Sequence, residues 1–322
     1  MTTRNDEAGL AYLLPALSEQ TRPPDEVVFV DGGSDDRTLE MLHDWCEQAP
    51  TATRVLVKPG ANISAGRNAG IEAVANEWVA CTDAGCKPVP QWLEALDAAR
   101  PGREFLGGIF VLDSSTDFER ALAVAHYPDP DELEATDRLS RVSRRFFGRR
   151  FEVRSATGRS MAFTRGAWAA VGGFPEELYA GEDIAFSAAV VDAGFASALE
   201  PRALVGWRPR PSWSANARMY WHYARGEVRH DRRRRQLVRG CAWLAGTFAL
   251  LAGGRRSRAL AAFGAVAYLA LPIARVRRQR LPVRVWWRIP LMVATKDLSQ
   301  LSGSLMGTLD QLLGRAQPTP RP

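Results

Sequence analysis

Carboxylates recur where apolar strands are predicted to end or a helix to begin: Asp31 after Val27–Val30, Asp83 after Trp78–Thr82, and the pair Glu182 and Asp183 at the head of an apolar helical stretch. Such groups can do two kinds of work. One kind accepts hydrogen bonds from a nucleobase or ribose, or holds a hard cation that carries phosphate. The other takes the proton of an incoming hydroxyl. The turn Asp31-Gly-Gly-Ser34 would repel a bare phosphate, and neither G-x-G-x-x-G nor G-x-x-x-x-G-K-[ST] occurs. Plain alternatives stay open at both places: a solvated turn at Asp31, and capping alone at Glu182 and Asp183, because the helix macrodipole favours anions there.

These residues need elements to position them. Four consecutive apolar residues, Val27–Val30, suit a central parallel strand buried on both faces, with Pro23 and Pro24 barring a helix before it. Gly32 and Gly33 then turn the chain, and Ser34 is a candidate cap for a helix carrying Leu39, Met41 and Leu42. Leu10, Leu13, Leu14 and Leu17 give a first helix, capped by Asn5 or Asp6 and interrupted by Pro15. Further strands are expected at 54–57, 78–82, 105–112 and 156–163, with helices from Ser64 and at 165–171 and 182–191. Residues 113–150, charged and loosely patterned, read as a loop or lid. Strands alternating with helices imply one mostly parallel sheet whose strand ends share an edge. Asp31, Asp83 and Asp183 can converge there. Transfer from an activated donor needs such an edge: a group for the nucleoside, positive charge for the departing diphosphate, and a base.

The chain has 322 residues and a formal charge of +6, unevenly spread. Arginine blocks at 229–235, 255–258 and 275–280 alternate with apolar runs at 241–253 and 259–274, a pattern that favours lipid headgroups over nucleic acid. Each run falls short of the ~18–20 residues of a spanning helix, so a shallow or re-entrant hairpin is expected, with a buried helical pair as the alternative. The segment Trp213–Tyr223 reads as aromatic-rich and amphipathic, the leucine-rich stretch 286–312 as an interfacial or a partner-binding helix, and 316–322 as a disordered tail. Cys46, Cys81, Cys86 and Cys241 show no metal or disulfide framework, and Met1–Glu7 lacks the apolar core of a signal peptide. His222 reads as a histidine packed among Tyr220, Trp221 and Tyr223, with a metal ligand as the alternative; His43, His126 and His230 lack metal-ligand spacing, and Ser160 lacks a nucleophile elbow.

The stretches Thr3–Glu7, Val30–Thr38, Asn62–Gly70, Thr82–Gly85, Gly172–Glu176 and Gly181–Asp183 together resemble family 2 glycosyltransferases of the GT-A fold, a Rossmann-like, mostly parallel sheet with flanking helices. The resemblance covers roughly residues 3–200. It implies a nucleotide-sugar donor of UDP or GDP type bound by Thr3, Asn5, Asp31, Gly33, Arg67 and Asp83. It implies further that Asp31 contacts base or ribose, that Arg67 lies near base or diphosphate, that Asp183 is the general base of an inverting displacement, and that Glu182 stands beside it. Arg218 or Arg225 would meet phosphate.

Two departures bear on this. The family's Asp-x-Asp, whose last carboxylate binds Mg²⁺ or Mn²⁺, is here Asp83-Ala-Gly85. Either Asp83 and the diphosphate hold the metal, or arginines and Lys87 supply the positive charge. The family also places an apolar strand before Thr3, where this chain has only Met1 and Thr2, so two sheet edges should lie unpaired and the true start is expected upstream.

The resulting expectation is a donor-binding half at 1–100, an acceptor and catalytic half at 101–225, and a membrane-associated helical region at 226–315. The activity would be inverting transfer to a hydroxyl acceptor, lipid-linked among the options, at the cytoplasmic face of a bacterial cell membrane. The alternative is a non-catalytic nucleotide-sugar-binding scaffold or sensor.

Overall fold

Val27–Val30 are buried throughout, as an apolar run in a central strand must be. In a computed structural model, which describes residues 1–133, 151–178, 180–227 and 230–313, they form the middle of a three-stranded parallel sheet. β1 (Thr2–Thr3) and β3 (Ala52–Val57) flank β2 (Glu26–Asp31), with Thr3 and Val57 both in register with Asp31. Helices α1 (Glu7–Ser18), α2 (Thr38–Gln48) and α3 (Ile63–Ala73) accompany this sheet. Asp6 caps α1 through the Gly9 N–H, and Pro15 stays inside the helix. Leu10, Leu13, Leu14 and Leu17 pack on Val27, Phe29 and Leu42.

The strands that follow do not extend this sheet. β4 (Trp78–Cys81), β5 (Cys86–Pro88), β6 (Phe105–Leu112), β7 (Met161–Thr164) and β8 (Ser197–Trp207) form a second sheet in the order β4-β7-β6-β8-β5. The pairs β4–β7, β6–β7 and β5–β8 are antiparallel, which corrects the single mostly parallel sheet. β5 and β8 left little mark in the sequence, since β5 has three residues and β8 carries Pro201, which has no backbone donor. Helices α4 (Trp92–Ala99), α6 (Arg165–Ala170) and α7 (Glu182–Asp192) complete this unit, which comprises residues 1–111 and 151–208. Phe105, Phe163, Phe174 and Phe186 fill its second core, Phe174 stacked on Phe186 at 4.2 Å between ring centroids.

The strand expected to be missing is present in two residues: β1 pairs with the end of β2, and Met1 continues it through its ammonium, which donates to Val28 O at 2.8 Å. Beyond Met1, and along the outer edge of β4, no strand pairs among the described residues. A cleft of about 150 Å³ there is lined by Met1, Val27, Val28, Trp78, Val79 and Cys81. A four-residue valine- and isoleucine-rich extension fused ahead of Met1 should pair with both edges. One buried valine contributes about 1.5–3 kcal/mol, so the melting midpoint should rise by about 4 °C or more, and a Gly-Ser extension should not raise it. Equal midpoints for the two extensions would show that the cleft accepts no strand.

The other unit, formed by the described residues of 112–150 and 209–321, is helical. It begins with α5 (Asp117–His126), a correction to the loop expected at 113–150, of which 134–150 lie outside the described residues. Thr116 and Glu119 form the capping box that starts α5, and Leu122, Val124 and Ala125 turn inward. Then come α8 (Trp213–Arg225), α9 (His230–Ala252), α10 (Arg255–Arg278), α11 (Val283–Trp286) and α12 (Arg288–Leu312). Gly303 and Gly307 on α12 let it approach α8 closely; a Cβ on Gly303 would lie 2.3 Å from the Trp221 carbonyl oxygen. The two short apolar runs sit inside longer helices, and among the described residues one, Arg255–Arg278, is long and apolar enough to cross a membrane. Phe248, Leu251, Leu260 and Phe263 are exposed. The tail at 316–322 lies outside the described residues.

Candidate active site

Two clusters of predicted residues form in the first unit. At the carboxyl ends of β1 and β2, Asp31 accepts hydrogen bonds from the backbone N–H groups of Gly33 and Ser34, each at 2.8 Å, and from the Ser34 hydroxyl. Ser34 therefore closes the turn and does not cap α2, whose first residue is Thr38. Asn5 joins in by donating its N–H to the Ser34 hydroxyl and accepting from Asp35 N–H. Its φ of +49° is left-handed, a conformation asparagine tolerates better than most residues. Gly33 takes a φ of +88° for the turn, and Thr3 O accepts from Gly32 N–H. Thr3, Asn5, Asp31 and Gly33 are thus one loop cluster at strand ends, a place suited to a base and ribose.

The second cluster is built on Arg67 of α3, whose side chain is only 3% exposed. Nη2 donates to Asp83 Oδ1 at 2.6 Å and Nη1 to Glu182 Oε1 at 2.7 Å. Residues 16 and 115 positions away are joined by one guanidinium. Its carbon stands 5.3 Å from the centroid of the Phe174 ring. Burial pulls the Arg67 pKa down, and Asp83, Glu182 and Asp183 more than offset that, leaving it above the ordinary arginine value. Burial and the neighbouring Asp183 push Glu182 up against the opposing pull of Arg67. Asn68, next on α3, holds the far side: it donates to Phe174 O and accepts from Phe174 N–H and Trp168 Nε1.

Asp183 differs from its neighbours. It lies in the first turn of α7, entered through Gly181 at a φ of +81°, and its carboxylate accepts from the backbone N–H groups of Ile184 at 2.7 Å and Gly158 at 3.1 Å. Among the described residues no cation pairs with it, and it is half-buried. Asp83 and Glu182 are bonded to arginine, whereas Asp183 is held by backbone N–H groups.

The acidic turn is less suited to a metal. Asp83 has one oxygen committed to Arg67, and Gly85 contributes no side chain. Gly85 sits at a φ of +77°, giving its N–H to Gly9 O and its carbonyl to Arg208 N–H. A non-glycine residue would be strained there even though no atom lies within 4 Å of its Cβ position. Among the described residues no group of three carboxylate, histidine or cysteine side chains is placed to hold a metal ion. These residues do not fit a protein-built Mg²⁺ or Mn²⁺ site.

The sequence reading missed Gly158 and Arg159. Arg159 stacks on Trp207 at 4.0 Å and on Phe110 at 4.9 Å from the ring centroids, and it acts on the Cys86 thiol beside the acidic turn. No motif marks either residue. Ser160 is buried, donating to Ala203 O and accepting from Trp92 Nε1, a structural serine as expected. In the helical unit Arg225, expected at phosphate, donates to Asp310 at 2.6 Å. His126 bonds Met292 O and Tyr220, and His222 packs edge-on against Trp221.

Comparison with known proteins sets the chain beside glycosyltransferases. Residues 1–99 match the family described as Glycosyl transferase family 2. The glycosyltransferase AglE of Haloferax volcanii is 23% identical over 227 residues, which span 70% of each chain. The mannosyltransferase PcManGT of Pyrobaculum calidifontis, solved in complex with GDP-Man and Mn²⁺, superposes with a TM-score of 0.61 at 17% identity, covering 96% of this chain and 86% of its own. At that identity the likeness shows the fold.

Proposed function

We propose that this chain, whose residues 1–99 match the family described as Glycosyl transferase family 2, is a glycosyltransferase that moves a sugar from a nucleoside-diphosphate sugar to a hydroxyl acceptor with inversion, Asp183 serving as general base. One observation carries the assignment: of the three carboxylates gathered around Arg67, Asp183 is the one held by backbone N–H groups alone among the described residues. In the proposed step the acceptor hydroxyl gives its proton to Asp183 as its oxygen bonds the anomeric carbon. The bond from that carbon to the diphosphate oxygen breaks, and the nucleoside diphosphate leaves with its electron pair. Thr3, Asn5, Asp31 and Gly33 would take the base and ribose. Glu182 would keep the first turn of α7 in place.

For the acceptor we favour a lipid-linked hydroxyl at a membrane surface on the cytoplasmic side. The supporting features are the exposed Phe248, Leu251, Leu260 and Phe263, the apolar helix Arg255–Arg278, and the basic residues at its ends.

A panel of UDP- and GDP-sugars, screened by thermal shift, tests the donor. A ligand at 100 times its Kd stabilises the folded state by about 2.7 kcal/mol, so a true donor should move the midpoint by several degrees, and the same donor should be consumed when a lipid-linked acceptor is added. Stabilisation without turnover against any acceptor would leave the non-catalytic scaffold. A panel with no shift at all would defeat the donor assignment.

A further inference from the structure

We propose that α9 and α10 form a hairpin that crosses a lipid bilayer once in each direction, with Arg255, Arg256 and Arg258 at the phosphates of the far leaflet and both helix bases on the cytoplasmic side. The inference goes beyond the glycosyltransferase reading and does not depend on it.

The two helices leave the packed part of the helical unit at one level. On α9 the last buried residue is Gly240, set so closely on α12 that an added Cβ would lie 2.4 Å from Leu301 Cβ. On α10 the first is Leu269. Beside these exits Trp243 Nε1, at 3.0 Å, and the Tyr268 hydroxyl both donate to the buried Asp297 of α12, and the two rings meet edge-on. Aromatic side chains with one polar end tied down suit the boundary between headgroups and hydrocarbon. From 241 to 268 no residue is buried.

Leu244, Phe248 and Leu251 stand on this part of α9, and Leu260, Phe263 and Val266 on α10, with Phe248 71% and Phe263 74% exposed. In water such a surface is a liability. Neither 240–254 nor 259–274 holds a charged residue. A hairpin lying flat in the headgroup layer needs a charged or strongly polar face along each helix, and these helices have none over that length. The charges stand at the ends instead. Arg255, Arg256 and Arg258 are exposed at the turn, and Arg232, Arg234, Arg235, Arg277, Arg278 and Arg280 are exposed at the base.

A shallow insertion would leave the turn arginines in hydrocarbon, where a charged side chain is costly. A full crossing returns them to phosphate, which a guanidinium binds through two parallel hydrogen bonds. The lengths agree with a crossing: about 21 Å of helix separate Arg239 from the turn at Gly253, and about 25 Å separate Arg258 from Arg275. The hydrocarbon core is about 30 Å thick, and arginine stems reaching outward, together with local thinning, close the difference. Apolar runs that are too short between their own ends thus suffice once the flanking arginines join the crossing. Six exposed arginines at the base against three at the turn place the base on the cytoplasmic side.

The test expresses the full chain with Cys241→Ser in a bacterial host and treats spheroplasts with a membrane-impermeant maleimide before and after lysis. Cys81 and Cys86 are buried, so Cys46 reports the side on which the first unit lies. Ser257→Cys reports the turn, and Thr247→Cys the middle of the crossing. The turn thiol should label about tenfold or more faster than Cys46 in intact spheroplasts, and Cys46 should label only after lysis. Thr247→Cys should label only after detergent is added, although the residue is exposed in the molecule. The protein should stay with the membrane in alkaline carbonate. Should Ser257→Cys fail to accumulate, Gly254→Cys repeats the measurement, since an added Cβ there meets no atom within 4 Å. Turn labelling that appears only after lysis would make the hairpin interfacial or re-entrant and overturn the proposal. Release by carbonate, with Thr247→Cys reactive in buffer, would overturn it in favour of an arm that faces water or a second copy of the chain. Cys46 labelled from outside before lysis would reverse the orientation and overturn it as well.

Discussion

Asp183→Asn should reduce kcat by about 10²–10⁴-fold while nucleoside diphosphate affinity stays within about twofold of wild type, the range expected when a general base is lost and little else changes. Asparagine keeps the Oδ that accepts from Ile184 N–H, so the first turn of α7 should survive. What goes is the second carboxylate oxygen, its charge, and the capacity to take a proton at the site where Gly158 N–H now points. Glu182 cannot substitute readily. Its carboxylate is buried, bonded to Arg67 and held up towards its neutral form by burial and by Asp183 itself, so it is a poor receiver for a hydroxyl proton. The companion substitution Glu182→Gln should then lower kcat less than Asp183→Asn does. Single-turnover kinetics with donor in excess separates chemistry from release; Asp183→Asn turning over at the wild-type single-turnover rate would remove the proposed base.

Much of this site was legible because its residues stand at places where backbone conformation and chemistry agree. Asp31 follows an unbroken apolar strand and precedes two glycines, and the structure closes its turn through the Gly33 and Ser34 amides. Glu182 and Asp183 open a helix after a left-handed glycine. What the sequence could not express is which carboxylates are already spent. Arg67 lies near Asp83 in sequence but far from Glu182, and nothing short of the fold brings all three together. The second sheet was obscured for a related reason. β5 is three residues long, β8 contains a proline, and the turn leading into β5 runs through Gly85, whose positive φ no pattern of apolar residues announces. At Gly85 the sequence shows a missing ligand, whereas the structure shows a turn that carries two backbone hydrogen bonds and leaves Asp83 to Arg67.

In the helical unit the pattern of the arginine blocks favours lipid headgroups, and part of that charge is internal. Arg275 is 1% exposed. Its Nε and Nη2 grip both oxygens of the buried Glu132, at 2.8 and 2.7 Å, while Nη1 donates to Val124 O at 3.0 Å and Tyr127 O at 2.7 Å. Those carbonyls belong to the end of α5 and its cap, so this one side chain satisfies the terminus of a helix some 150 residues away. Arg278 adds a pair with Asp129, and Arg233 donates to Glu227 O and Gln311.

Arg275→Met preserves most of the stem volume and removes the fork. It should therefore destabilise the helical unit by about 3 kcal/mol, because the buried Glu132 loses its bidentate partner, keeping only the longer pair with Arg278 at 3.5 Å, and two carbonyls are orphaned beside it. The double variant Arg275→Met with Glu132→Leu should regain a substantial part of that loss, since no buried charge then remains. Urea denaturation followed by tryptophan fluorescence decides the matter: the single substitution should bring the transition of the helical unit to markedly lower denaturant, and the double should move it back. A loss below about 1 kcal/mol for Arg275→Met would place this arginine in water after all and return the whole block to the surface.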